Sequence, residues 1–249
     1  MNPIRNYQEV SPLLLRYFKR GVITNNFLSA DDYRAEVKEG RLFYCAKEDF
    51  LNLYVKRDGF YQLYFHAFSQ DTCFPAVNVP LIAEMAGENT GILEKNGFLK
   101  ILDRVKLELS LDIPPKKAGQ KAQKEDTRDI FQLLCRSFSS ETGALPTFAQ
   151  VEKECEDGFY YKIMSQGELA GILRFGKSGK TAQIKHLCVK EAFRGQKIGK
   201  QLVLDFLAEN PKATVWTGAA NAAALTLYHS LGFTDCELKS TVYRKDVTL

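Results

Sequence analysis

Apolar residues in the second half of the chain change period several times. Ile130, Leu134 and Phe138, flanked by Phe131 and Cys135, recur at helical spacing and predict a helix over residues 127–139. Pro146 opens a second helix that runs through Cys155 and ends at Asp157-Gly158. The period then shortens: residues 160–164 and 169–175, joined by Ser165-Gln166-Gly167, read as a hairpin. A turn at residues 177–180 leads into a strand over 183–189. Beyond Gly195, Ile198, Leu202 and Phe206 fall at i, i+4 and i+8, with Val203 and Leu207 beside them. They predict a long amphipathic helix that stops near Asn210-Pro211. A short strand (213–217), a helix (222–231) closed at Gly232, and a final strand or pair of strands (236–245) complete the order ααβββαβαβ. That order predicts an α/β layer structure with a mixed sheet.

The first half repeats the order incompletely. Helices over 12–19 and 31–39 precede strands over 42–47, 51–57 and 60–68, the last two joined through Asp58-Gly59. A strand over 74–82, a helix leading to Asn96-Gly97-Phe98 and a strand over 99–109 follow. Laying Gly97-Phe98 on Gly232-Phe233 brings the halves into register at an offset of 135. Only Ser69-Gln70-Asp71-Thr72-Cys73 occupies the place of the long helix. Between the halves lies an apolar-poor stretch that opens with Pro114-Pro115 and carries four lysines, which reads as a linker over 113–125. The expected domains are therefore 1–112 and 126–249.

Charge and composition narrow the function. Net charge is +4, with 18 Lys+Arg against 16 Asp+Glu in residues 1–125 and 16 against 14 in the rest. This even spread gives no basic surface for nucleic acid. No apolar stretch approaches the ~20 residues that span a bilayer, and the N-terminus has no signal-type run. The six cysteines include no C-x-x-C pair and read as buried free thiols of a reducing compartment, which predicts a cytoplasmic protein. His66, His186 and His229 have no ligand-like spacing, so no metal site is expected.

The chemistry concentrates in Leu187-Cys188-Val189-Lys190-Glu191-Ala192-Phe193-Arg194-Gly195-Gln196-Lys197-Ile198-Gly199. A strand that ends in a basic Arg-Gly turn and opens a helix presents unpaired N–H groups and a positive dipole end, suited to an anion such as phosphate. On local grounds Arg194 and Gly195 are equally readable as a tight turn before a helix. Asn221 reads first as an N-cap. Tyr228 lies on an apolar stripe with Ala224, Leu227 and Leu231 and reads as a packed aromatic. Cys188 reads as a small strand residue, with an acyl-cysteine the remote alternative.

Two motifs together resemble the GNAT acetyltransferase superfamily over residues 126–249. The strand Leu187-Cys188-Val189 followed by Arg194-Gly195-Gln196-Lys197-Ile198-Gly199 resembles L-x-V then [QR]-x-x-G-x-[GA], with Lys197 where an internal Gly is usual. Residues 221–233 match N-x-x-A-x-x-L-Y-x-x-x-G-F throughout. The resemblance implies a GNAT-like acyl-CoA N-acyltransferase fold for the second half and a degenerate, GNAT-like copy for the first. It implies acetyl-CoA as co-substrate, held by Leu187, Cys188, Val189, Arg194, Gly195, Gln196, Lys197, Ile198, Gly199, Lys200, Asn221 and Tyr228. Asn221 would contact the pantetheine arm and Tyr228 would protonate the departing thiolate. A Lys at position 197 would strain the turn if a positive φ is needed there, or add a cation beside the phosphates.

The implied reaction is direct attack of a primary amine, on a small molecule or peptide, at the thioester. A splayed strand 187–189 would supply oxyanion donors. An alkylamine of pKa near 10.4 pays roughly 4 kcal/mol to reach its free base at neutral pH. Of Gln183, Lys185 and His186, only His186 titrates in the useful range, and an inward-facing structural histidine reads equally well. The first half would cover the acceptor site, recognise the acceptor, or only stabilise its neighbour. Two other functions fit the pattern: a non-catalytic coenzyme A sensor and a tandem GNAT-like aminoacyl transferase. A monomer or homodimer is expected.

Overall fold

The structure is a computed structural model; it describes residues 1–18, 21–87, 91–115 and 119–247. The predicted end of the first helix at Lys19 and the middle of the predicted linker, residues 116–118, lie outside the described residues. The chain forms two compact units, one of Met1–Asp103 with Leu238–Leu249 and one of Arg104–Glu237. The second unit is one continuous run of chain, whereas the first takes its last strand segment from the C-terminal end of the chain.

In the first unit, β1 (Asn2–Pro3), α1 (Val10–Tyr17), β2 (Ile23–Thr24) and α2 (Ala30–Lys38) precede β3 (Leu42–Ala46), β4 (Phe50–Lys56) and β5 (Tyr61–Ala67). Then come β6 (Leu81–Ala86), α3 (Gly91–Lys95) and β7 (Leu99–Ser110), of which residues 99–103 belong here. Helix α2 starts where Ser29 and Asp32 exchange hydrogen bonds as a capping box. Strand β4 shows why the sheet is two-sided: Leu51, Leu53 and Val55 pack with Val10, Tyr17 and Tyr33, while Tyr54 packs with Phe65 and Phe98. The predicted strand over 74–82 is corrected to Leu81–Ala86. Pro75 and Pro80 have no N–H to give a ladder, and the Phe74 amide is taken by Asn96 Oδ1 at 2.6 Å.

The second unit contains the rest of β7, β8 (Gln120–Lys121), α4 (Thr127–Ser137), α5 (Phe148–Glu156), β9 (Tyr160–Ser165), β10 (Glu168–Ser178) and β11 (Thr181–Val189). It ends with α6 (Ile198–Glu209), β12 (Lys212–Gly218), α7 (Ala222–Ser230) and the start of β13 (Thr234–Lys245). Its strands run in the order β7-β12-β11-β10-β9-β8. Tyr160, Leu169 and Ile172 face α4 and α5, whereas their neighbours Tyr161, Ala170 and Leu173 face α6. Phe206 of α6 is fully buried against Tyr161 and Phe175, a burial that stabilises by about 3 kcal/mol. Part of the predicted linker is ordered. Gln120 and Lys121 pair with β9, and Lys121 Nζ sits 3.5 Å from the Tyr161 ring centroid, 3.1 Å from Glu209.

An offset of 135 carries Leu99 onto Thr234 and Ser110 onto Lys245, so β7 and β13 correspond end to end. Residues 104–110 of β7 pair with β12, and residues 240–245 of β13 pair with β6. No helix lies between β5 and β6 among the described residues.

Both units contain a parallel strand pair that parts after a few residues. In the first, β5 and β6 pair only at Tyr61–Leu81 and Gln62–Ile82. The opening there is filled by Asn25, which is 6% exposed. Its Nδ2 donates to Leu63 O at 2.9 Å and Glu84 O at 3.1 Å, and its Oδ1 accepts from Phe65 N at 2.7 Å. Thr24 Oγ1 donates to Phe65 O at 2.6 Å. The wedge of the first unit is therefore closed by protein. No local pattern in Thr24-Asn25-Asn26 points to this role.

Candidate functional site

The corresponding wedge of the second unit is not filled in this way. Strands β11 and β12 pair in parallel only over Ala182–Ile184 and Ala213–Val215. The break coincides with a β-bulge: on β10, Arg174 faces His186 and Phe175 faces Ile184, so the register skips one residue of β11 at position 185. A bulge bends its strand and ends pairing on the far side. Lys190 N donates to Ala170 O at 2.8 Å, towards β10. Alternation along the strand then turns the Cys188 amide towards β10, and the Leu187 and Val189 amides towards the open side.

The chain next forms a single 3₁₀ turn (Glu191–Phe193) and reaches α6 through Arg194 to Lys197. Gly195 has φ +77°, where a side chain would be strained. Lys197, the helix N-cap, has φ +61° and ψ +12°. The position is left-handed, so this Lys carries a backbone cost of roughly 1 kcal/mol that Gly would not. No side chain caps the helix there, and the first amides of α6 have no carbonyl one turn back. Arg194, Gly195, Gln196, Lys197 and Lys200 are exposed, whereas Ile198 is buried under the helix. Among the described residues, no carboxylate pairs with Arg194, Lys197 or Lys200, while Lys190 lies 3.4 Å from Glu168. The turn therefore presents free amides, a helix dipole and three uncommitted cations on one surface.

Two glycines set how closely α6 approaches. A Cβ on Gly199 would lie 3.6 Å from Leu227 Cδ2 of α7 and 3.9 Å from Val189 Cγ2, so Ala fits there and larger residues meet Leu227. A Cβ on Gly171 of β10 would come within 2.9 Å of Cys188 O, 3.1 Å of Ile198 Cγ2 and 3.2 Å of Leu202 Cδ1. Gly171 thus lets the first turn of α6 lie on the sheet. A glycine inside a strand is itself the signal for such an approach.

Asn221 caps α7, its Oδ1 accepting from Ala224 N at 3.1 Å. Tyr228 is buried at 3% exposure in the core beneath α6, its ring 5.3 Å from Phe233 in an edge-on contact. Its hydroxyl has no hydrogen-bond partner among the described residues. Burial holds the phenol well above its ordinary pKa, so it carries its proton at neutral pH. The motif brings Leu187, Val189, Ile198, Gly199, Leu227 and Tyr228 to one layer of the unit.

Cys188 is buried, and desolvation pushes its thiol up to about 12, which leaves no thiolate for an acyl-cysteine. All six cysteines are free, but only Cys155 and Cys188 are buried; Cys73 and Cys135 are exposed. The expectation of buried thiols holds for just those two; Cys45 and Cys236 are half-buried, and Cys73 lies outside any helix or strand.

His186 is not a free base. Its Nδ1 lies 3.4 Å from Arg174 Nη1, so this nitrogen accepts and Nε2 donates to Gly143 O at 2.7 Å. Arg174 is itself held by both oxygens of Glu154 at 2.6 and 2.7 Å. Burial, with the Arg174 charge, brings His186 down to about 4; burial alone does the same for His66. Both folded values lie below the ordinary 6.5, so the unfolded chain binds these protons more readily. Their contribution is complete above pH 6.5 and is lost as pH falls towards 4, roughly 2 kcal/mol each by pH 5. Denaturant midpoints at pH 7.5 and pH 5 should therefore differ, and His66→Gln should remove about half of that difference. A pH-independent midpoint contradicts it.

Among the described residues, no group of three or more His, Cys, Asp or Glu side chains is arranged for a metal, and no helix is long and apolar enough to cross a membrane.

Residues 135–249 match a family model described as an acetyltransferase (GNAT) domain. Comparison with curated proteins returns no match. Among solved structures, the chain is similar to a GCN5-related N-acetyltransferase from Sphaerobacter thermophilus (13% identity, TM-score 0.59, covering 90% of this chain and 87% of that one). It is also similar to an acetyltransferase from the GNAT family of Colwellia psychrerythraea (14%, TM-score 0.58, 99% of each chain). A GCN5-related N-acetyltransferase from Kribbella flavida follows (12%, TM-score 0.52, 85% and 93%). At such identities the likeness is one of fold, and it extends across both halves. The chain has the mixed α/β fold of these proteins, and its residues 135–249 match the model of an acetyltransferase (GNAT) domain.

Proposed function

We propose that the second unit transfers an acetyl group from acetyl-CoA to a primary amine of a small molecule or peptide, in the cytoplasm. The observation that carries this reading is the open wedge of β11 lying directly before the unpaired, cationic turn of α6. The donor set suits a pyrophosphate: amides of residues 195–200, the helix dipole, and Arg194, Lys197 and Lys200. The open-side amides of Leu187 and Val189 would receive the negative charge that develops on the thioester oxygen. Tyr228, protonated at neutral pH, would give its proton to the departing thiolate. Acetyl-CoA would supply the activated acyl group, and the amine would attack it directly, with Cys188 taking no part. The first half is read as a degenerate copy, since its wedge is filled by Asn25 and no helix lies between β5 and β6 among the described residues.

Calorimetric titration tests the donor assignment. Acetyl-CoA should bind once per chain, and Arg194→Glu or Lys197→Glu should weaken it about tenfold or more by reversing a charge beside the phosphates. If wild-type protein binds no acetyl-CoA, the reading fails.

A further inference from the structure

Strand β12 lies between β7 and β11. Its last residue, Gly218, pairs with Arg104 of β7. On the other side, pairing stops at Val215, and His186 is two residues beyond the last partner, Ile184. Arg104 and His186 therefore flank the end of β12 where the wedge opens, one on each side.

Both side chains hold the same loop, the segment between α4 and α5. Arg104 donates to the carbonyl of Thr142, and His186 donates to the carbonyl of the next residue, Gly143, at 2.7 Å. Within the loop Gly143 N donates to Ser139 O at 2.7 Å, and Ala144 has φ +47°. A Cβ on Gly143 would come within 2.6 Å of Ser139 O and 2.9 Å of Phe138 Cβ. The Phe138 ring stands edge-on to His186 at 4.8 Å. His186 in turn cannot swing away without leaving Arg174, which Glu154 fixes.

We propose that residues 139–145 form a fixed bar across the open end of β12, and that Arg104 and His186 are positioning residues for the acceptor amine. The proposal rests on the acetyl-transfer reading above and deepens it. The bar lies on the α4 side of the sheet with Phe138 and His186, whereas the turn of α6 lies on the other. Its placement should therefore govern the path of the acceptor and leave the donor untouched. Arg104 is supplied by β7, which precedes residues 126–249, so a protein cut to those residues would lack one of the two anchors.

Four proteins test this: wild type, Arg104→Ala, Arg104→Lys and His186→Ala. Hydrogen exchange of the peptide spanning 139–145 reads the bar itself, acetyl-CoA titration reads the donor site, and steady-state kinetics with the best amine from a panel reads the acceptor. Arg104→Ala should speed exchange in the peptide and raise KM for the amine about tenfold, with acetyl-CoA affinity within twofold of wild type. Arg104→Lys, which keeps a donor, should recover most of the wild-type KM. His186→Ala should behave like Arg104→Ala if it folds, and Arg104→Ala carries the test if it does not. Unchanged exchange in Arg104→Ala overturns the bar, whatever the kinetics. Faster exchange with an unchanged amine KM, or with an equal loss of acetyl-CoA affinity, overturns the positioning role. Failure of the wild type to bind acetyl-CoA is separately visible and removes both readings.

Discussion

Tyr228→Phe should lower kcat by about 10²–10⁴-fold while acetyl-CoA binds almost as well as before. The substitution removes one oxygen and keeps the ring that packs on Phe233 within the core beneath α6. Because the hydroxyl has no hydrogen-bond partner among the described residues, its removal strands no buried group, and stability should change by less than about 1 kcal/mol. A packed aromatic and a proton donor thus make opposite forecasts for a single atom. Steady-state rates with acetyl-CoA and an amine, alongside a denaturant titration, separate them. Full activity in Tyr228→Phe would assign this tyrosine to packing alone. Tyr228→Ala would not be informative, since it opens a cavity beneath α6 and costs several kcal/mol.

The second large effect is one of stability and belongs to the first unit. Asn25→Ala should destabilise by about 3 kcal/mol or more, because Leu63 O, Glu84 O and Phe65 N lose their partner inside a buried wedge. Asn25→Asp should be at least as damaging. Its carboxylate can still accept from Phe65 N, but it has no donor for the two carbonyls and it buries a charge beside them. Urea unfolding followed by fluorescence measures both. A loss below about 1 kcal/mol for Asn25→Ala would mean that water takes over the three bonds and that the plug is dispensable. All three partners of Asn25 belong to the first unit, so acetyl-CoA affinity at low urea should be unaffected.

Much of this was readable along the chain, and for identifiable reasons. Helix α6 announces itself through Ile198, Leu202 and Phe206, since one buried stripe over three turns leaves no other period. The turn before it was readable because Gly195 and the residues around it serve a local backbone need. The position of Lys197 was also open to reading: its place in the motif raised the question of a positive φ, and the structure has one. Strand 74–82 was misread because Val77, Val79 and Leu81 alternate like strand residues. Pro75 and Pro80 outweigh that alternation by removing two ladder donors. The cysteines were judged by the apolar character of their neighbours, which does not say on which face of an element each one falls.

What lay beyond the sequence is pairing. Nothing in the alternation of β7 or β13 tells which strand each will lie against. A period of two fixes the face a side chain takes, and the edge of the strand carries no side-chain label. So residues 104–110 complete the sheet of one unit and residues 240–245 that of the other, and only the fold decides it. The same is true of Asn25, whose three bonds reach 38, 40 and 59 residues along the chain. Arg104 likewise meets Thr142 only because β7 pairs with β12. The sequence alone determined the periods of the elements, the strand–turn–helix at 187–199 and the helix at 222–230, because those depend on neighbours within a few residues. Tertiary structure alone decided which wedge is closed, which is open, and which side chains hold the loop beside the open one, because those depend on groups that folding brings together from distant parts of the chain.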